Sequence, residues 1–351
     1  MAIITSDVID HLQPQLRFLV QAGFDSMESR GNMERRSFLH KIVGGAAALA
    51  QMPRLRAATT EEYPSQKSNV EGTGPYVIVG PTARLFYKDW CAPASLLNPK
   101  TRTVLFLHTW ALNSDIWQYQ MNYLCGRGMR TVAYDRRGEG KSNDPGCNYD
   151  FDALAGDLAK IIEQLDLRDI ILVGHSMGCG EIVRYLSKYG DARVSRIVFV
   201  ATSLPFGLKT DDNPDGVPNS ELVAVRDVIT HDFPQYLRSL APDFFGRRVS
   251  SSTEDWAIRM SVDHSSLPAL VGTQIADTET DFRKELPSIA KPTLIIHGDS
   301  DVFCRLEVTA QRVHRLIPGS RLKVYEGGPH GLMISHMDEL NRDLFDFISM
   351  S

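Results

Sequence analysis

The sequence holds few cysteines and none in a C-x-x-C pair: Cys91, Cys125, Cys147, Cys179 and Cys304 are scattered singly. An odd count of five excludes a fully paired framework within one chain, and no spacing suits a structural metal, so buried free thiols are expected. No Lys/Arg block is interleaved with aromatics and the net charge is −5, which argues against a nucleic-acid partner. The apolar run from Ile42 to Ala50 falls far short of the about 20 residues that a membrane-spanning helix needs. No internal repeat is visible. What remains is ordinary globular material, 43% hydrophobic and 23% charged, sufficient for a sizeable core.

The amino terminus reads as an export leader. Arg35-Arg36 is followed by Ser37-Phe38-Leu39, a Gly/Ala-rich apolar stretch and the small pair Ala57-Ala58. A basic region, a short apolar region and small residues describe a signal peptide. The paired arginines resemble the twin-arginine type, which engages a dedicated export machinery and carries folded proteins. Cleavage after Ala50 and after Ala57 both fit. This organisation gives an extension and leader over 1–58, a polar linker over 59–74 and the main domain over 75–351. A periplasmic or secreted location is expected if the leader functions, a cytoplasmic one if it does not.

From Tyr76 onward β-branched runs alternate with helical patterns, the signature of a mostly parallel sheet covered on both faces. Two early strands, Tyr76–Val79 and Leu85–Trp90, should pair antiparallel at an edge. Buried strands follow at Thr103–His108, Arg130–Asp135, Ile170–Val173, Arg196–Ala201, Thr293–His297 and Leu322–Tyr325. The alternation breaks between about 204 and 286, where a Pro-rich stretch with short helical segments near Glu221–Thr230 and Asp255–Val262 reads as a small cap. A helix over Leu306–Ile317 is expected after the cap.

Three strand ends carry chemistry. Gly174-His175-Ser176-Met177-Gly178 matches G-x-S-x-G, a pattern that chance alone produces in about one chain in ten of this length. Its context is specific: a buried strand precedes it and a helix follows, the turn that lifts a serine above a sheet. A serine hydroxyl needs a base. His330, on the glycine-rich loop Gly327–Gly331, follows the last strand and so lies at the same sheet edge; His108, His314 and His336 are worse placed. The orienting carboxylate should be Asp301, with Asp299 read as a turn cap. Two backbone N–H groups, from Met177 and Trp110, would complete an oxyanion hole. Trp110 and cap aromatics Phe206, Phe233, Phe244, Phe245 and Trp256 are candidates for the substrate pocket. The charged run Asp135–Ser142 (DRRGEGKS) reads as a structural turn whose arginines brace neighbouring loops.

Together YDRRGEGKS, LVGHSMGCGEIVRY, LKTDDNPDGVP, ETDF, LIIHGDSD and YEGGPHGL resemble the cofactor-free bacterial haloperoxidase and aryl-esterase family of α/β-hydrolases, from about Gly74 to Ile348. The resemblance implies the α/β-hydrolase fold, here with eight strands and a helical cap, and a homo-oligomer without metal, haem or other cofactor. It places nucleophile, acid and base on Ser176, Asp301 and His330, and the oxyanion amides on Trp110 and Met177. Thr109 and Cys179 stand where the family has glycine, and Thr109 is expected to narrow the site or shift the Trp110 amide. The implied reaction is hydrolysis of a small ester through an acyl-enzyme. Interception of that intermediate by hydrogen peroxide would release a peracid that oxidises halide in solution. Lactone or carbon–carbon bond hydrolysis on the same triad, and a non-catalytic binding protein of this fold, are the competing readings.

Overall fold

The computed structural model describes residues 74–90, 102–246 and 249–350. The expected leader and linker before residue 74 lie outside them. Eight strands form one sheet: β1 (Tyr76–Ile78), β2 (Arg84–Trp90), β3 (Thr103–Leu107), β4 (Arg130–Tyr134), β5 (Ile170–His175), β6 (Val194–Val200), β7 (Thr293–Gly298) and β8 (Arg321–Tyr325). Their spatial order is β1-β2-β4-β3-β5-β6-β7-β8. β1 and β2 pair antiparallel, β2 joins β4 antiparallel, and β4 through β8 run parallel.

Strands β3, β5 and β7 are buried at every position because helices cover both faces of the sheet. The two-residue period of a strand splits their side chains between two cores. Leu105, Leu107, Leu172 and Phe199 pack on one face, with helices α2 (Phe151–Gln164) and α3 (Met177–Tyr189). Val104, Phe106, Ile171 and Val173 pack on the other, where α1 (Gln118–Cys125) is joined by a carboxyl-terminal helix over Met337–Ser349. A 3₁₀ turn at Ser114–Trp117, capped by Asn113, leads into α1 and buries Ile116, Trp117, Met121 and Leu124.

Between β6 and β7 lie α4 (Asn219–Phe245), α5 (Ser251–Val262) and α6 (Leu267–Glu279). The cap is thus more helical than its proline content predicts. α4 breaks at Asp232, which is non-helical. The Asp232 side chain accepts from Gln235 N at 3.1 Å, capping the second half, so Pro234 falls in a first turn where its missing N–H costs nothing. Ser266 caps α6 in the same way through Ala269 N. The helix expected over Leu306–Ile317 is shorter, α7 (Ala310–Leu316), and α8 (Leu332–Ser335) and α9 (Met337–Ser349) close the chain.

Candidate active site

Strand β5 ends in a sharp turn. Ser176 adopts φ 52°, ψ −117° and α3 begins at the next residue. A non-glycine residue in that region costs on the order of 1–2 kcal/mol, met here by the fixed surroundings: Ser176 N donates to Val200 O on β6 and Ser176 O accepts from Cys179 N, each at 3.0 Å. The flanking glycines are forced by contact. A Cβ at Gly174 would lie 2.8 Å from Cys179 N, and one at Gly178 would lie 2.8 Å from Leu107 O on β3. Met177 N is one of the unpaired amides at the start of α3, and the helix end favours negative charge beside Ser176.

Asp301 follows β7 and is held at both oxygens. Oδ1 accepts from the amides of Phe303 (3.0 Å) and Cys304 (2.9 Å), and Oδ2 pairs with His330 Nδ1 at 2.7 Å. Both side chains are buried. Asp299 instead is exposed and accepts from Gly327 N at 2.7 Å, fastening the loop that carries His330. His330 is further fixed by His175, whose Nε2 meets the His330 carbonyl at 3.0 Å. Burial drives the His175 pKa well below the usual range, so that ring is neutral and Nε2–H is the donor. Phe244 and Phe303 flank the His330 imidazole, with ring centroids at 5.4 and 5.7 Å.

Cys304 joins these groups. Its sulfur, an Asp301 oxygen and a His330 nitrogen lie within 4.8 Å of one another. Because the ring of His175, the residue before Ser176, reaches the His330 carbonyl, and His330 reaches Asp301, the structure brings Ser176, Asp301 and His330 to one region. Burial first, then the Asp301 and Asp277 charges, push the Cys304 thiol far up, keeping it protonated. These three donors are the one metal-capable group among the described residues, but two of them are already spent on each other.

The loop after β3 carries the second proposed oxyanion amide, Trp110. Its indole Nε1 donates to Leu270 O on α6 at 2.9 Å, tying that loop to the cap. Thr109 is buried and has no positive φ; the left-handed residue here is Ala111, at φ 62°. A β-branched residue thus stands at Thr109 without backbone strain. The run Asp135–Ser142 is a brace. Arg136 is 1% exposed, bonds Glu181 Oε1 at 2.9 and 2.5 Å, Glu139 Oε2 at 2.5 Å and His108 O at 2.7 Å, and Arg137 grips Asp157 at 2.7 and 2.6 Å. His108 is consumed here, its Nε2 accepting from Arg136 N at 3.0 Å.

A small, partly open pocket of about 70 Å³ sits under the cap. Trp110, Leu237, Leu240, Ala241, Phe244 and Phe245 are among its walls. The other expected pocket aromatics lie outside it. Phe206 sits under the Arg283 guanidinium, Trp256 packs edge-on against Tyr119, and Phe233 buttresses Trp110 from behind at 6.2 Å. Sequence reasoning missed Asp277 on α6. Its only signal is a carboxylate continuing the inward stripe of Leu270 and Thr273 at helical spacing.

Residues 102–336 match the α/β-hydrolase fold family. A non-heme chloroperoxidase of Kitasatospora aureofaciens is 36% identical over 274 residues, 76% of this chain and 96% of that protein. A bifunctional esterase/perhydrolase of Acinetobacter calcoaceticus is 32% identical over 286 residues, 78% of this chain and 99% of that one. The crystal structure of a bromoperoxidase from Bacillus anthracis superposes with a TM-score of 0.73 at 32% identity, covering 78% of this chain and 99% of that chain.

Proposed function

The chain belongs to the α/β-hydrolase family and is a hydrolase, and we propose that it cleaves small carboxylic esters through an acyl-enzyme on Ser176. The observation that carries this is the Asp301–His330 pair at 2.7 Å, seated with Cys304 in the region of a serine on a strained elbow. Ser176 Oγ attacks the ester carbonyl while His330 takes its proton. Asp301 holds Nδ1–H so that the opposite nitrogen is the base, and stabilises the imidazolium. The Met177 and Trp110 amides receive the developing alkoxide. His330 then returns the proton to the departing alcohol, and water attacks the acyl-enzyme with His330 again as base.

Perhydrolysis is the same second half-reaction with hydrogen peroxide in place of water: the acyl–oxygen bond to Ser176 breaks, a peracid leaves and the serine regains its proton. The chloroperoxidase and esterase/perhydrolase names of the relatives favour this branch. Halogenation follows from peracid oxidising halide in solution. A panel of nitrophenyl esters of rising acyl length, with and without peroxide, tests both, alongside fluorophosphonate labelling. Ester cleavage and labelling that vanish in Ser176→Ala support the proposal. Undiminished labelling in that variant, or none in wild type, overturns it.

Export through a twin-arginine pathway is a separate proposal, supported by Arg35-Arg36 and the apolar run to Ala50. Changing both arginines to lysine should retain the protein in the cytoplasm; unaltered periplasmic delivery refutes it.

A further inference from the structure

The pocket beneath the cap is apolar, yet one cap carboxylate lies within electrostatic reach of His330 and Cys304. Asp277 lies on α6, one helical turn beyond the fully buried Thr273 and two beyond the fully buried Leu270, and its side chain is half-buried. Oδ1 accepts from Ser203 Oγ at 2.7 Å. Ser203 follows β6, the strand whose Val200 carbonyl anchors Ser176 N. The end of α6 is pinned to that same loop: Phe282 N donates to Pro205 O at 3.0 Å, and a Cβ at Gly207 would lie 3.0 Å from Thr278 O. Asp277 therefore cannot swing away without unseating the end of its helix.

Its surroundings leave its charge without a counter-ion. The groups that feel it are His330 after β8, Cys304 after β7, Cys179 and Glu181 on α3, and Arg136 after β4. Arg136 is the one permanent cation among them and is committed to Glu139 and Glu181. Among the described residues Asp277 forms no salt bridge. One oxygen has a hydroxyl donor, and a half-buried carboxylate with a free valence beside a reaction centre is a receptor for a cation or a strong donor.

We propose that Asp277 is a specificity-determining residue that selects esters carrying an ammonium group on one arm, the other arm lying in the apolar pocket of Trp110 and Phe244. This rests on the ester-hydrolase reading and narrows its substrate class. Desolvation pushes the Asp277 carboxyl up to about 6, so it is charged above that pH and neutral below it. Selection should accordingly strengthen as pH rises through 6.

Two isosteric pairs test the proposal: nitrophenyl 6-aminohexanoate against heptanoate, and choline acetate against 3,3-dimethylbutyl acetate. The first places the cation on the acyl arm, the second on the alcohol arm. In at least one pair, the kcat/KM ratio of cationic to neutral ester should fall about 10- to 100-fold in Asp277→Asn, the worth of a charge-assisted bond. In wild type that ratio should climb between pH 5 and 7. Effects common to both members of a pair cancel in the ratio, which isolates the response to the added cation. If Asp277→Asn fails to fold, the wild-type pH series decides alone. A wild type that cleaves the neutral esters with ratios flat in pH, or ratios unmoved by the substitution, overturns the Asp277 assignment and leaves the ester-hydrolase reading intact. Failure on all four esters, with no fluorophosphonate labelling, overturns both.

Discussion

Two buried ionic systems sit side by side at the carboxyl edge of the sheet, and they differ in what they leave open. Around Arg136 every strong donor has a carboxylate or carbonyl within hydrogen-bond reach, and Tyr134 OH closes Glu181 Oε2 at 2.7 Å. Around His330, among the described residues, one ring nitrogen is matched, to Asp301, while the imidazole lies beside Cys304 and between two phenyl rings. Saturation makes a brace, and a spare valence beside a cavity makes a site. Charge and burial alone would rank the two alike.

The comparison breaks most visibly at Ser176, the proposed nucleophile. Ser176→Ala should lower kcat for a nitrophenyl ester by about 10⁴- to 10⁶-fold, the range for loss of a serine in such a triad, with little change in melting temperature. Asp301→Asn should cost about 10⁴-fold by presenting the wrong tautomer of His330. Asp299→Ala, two residues away, should stay within about threefold, since it removes a loop fastening rather than the orienting carboxylate. Steady-state kinetics on the two aspartate variants in parallel decide this, and an equal loss in both would reverse their roles.

Arg136→Met inverts the pattern. It strands Glu139 and Glu181 without a cation and should destabilise the fold by about 3–5 kcal/mol, lowering Tm by roughly 10 °C. The folded fraction should keep the wild-type pH–rate profile. A shifted profile at unchanged stability would move Arg136 from brace to chemistry. Burial pushes Glu139 up to about 7, above its value in an unfolded chain. Its share of the stability is therefore full below about pH 4.5 and lost as pH rises through 7. Urea midpoints across pH 4–8 for wild type and Glu139→Gln measure it.

The strand ends were legible in the sequence because buried β-branched runs mark them, and chain order then placed Ser176, Asp301 and His330 at one edge. The choice of Asp301 over Asp299 was legible only as a preference. The cap was harder to read. Prolines at 234 and 242 suggested irregular chain, yet α4 absorbs the first by restarting at Asp232. The buried stripe of α6 is built from Ala269, Leu270, Thr273 and Ala276, too small a set of apolar side chains to announce a helix. Cap aromatics were assigned to the pocket by type. Which of them face it depends on the roll of α4 and α5, which places Phe244 and Phe245 inward and Trp256 on Tyr119. Cys304 and Asp277 were opaque because their meaning lies in what other loops bring beside them.

The short bond from Gly331 N to Phe244 O, 2.6 Å, fastens the last turn of α4 to the residue after His330. A Cβ at Gly331 would strike the same carbonyl at 2.7 Å, so the seam tolerates no wedge. Roof and base are thereby mechanically one part. Admitting a bulkier guest by lifting that helix would drag His330 out of line, so new specificities on this scaffold must come from trimming or swapping side chains beneath a roof that stays put.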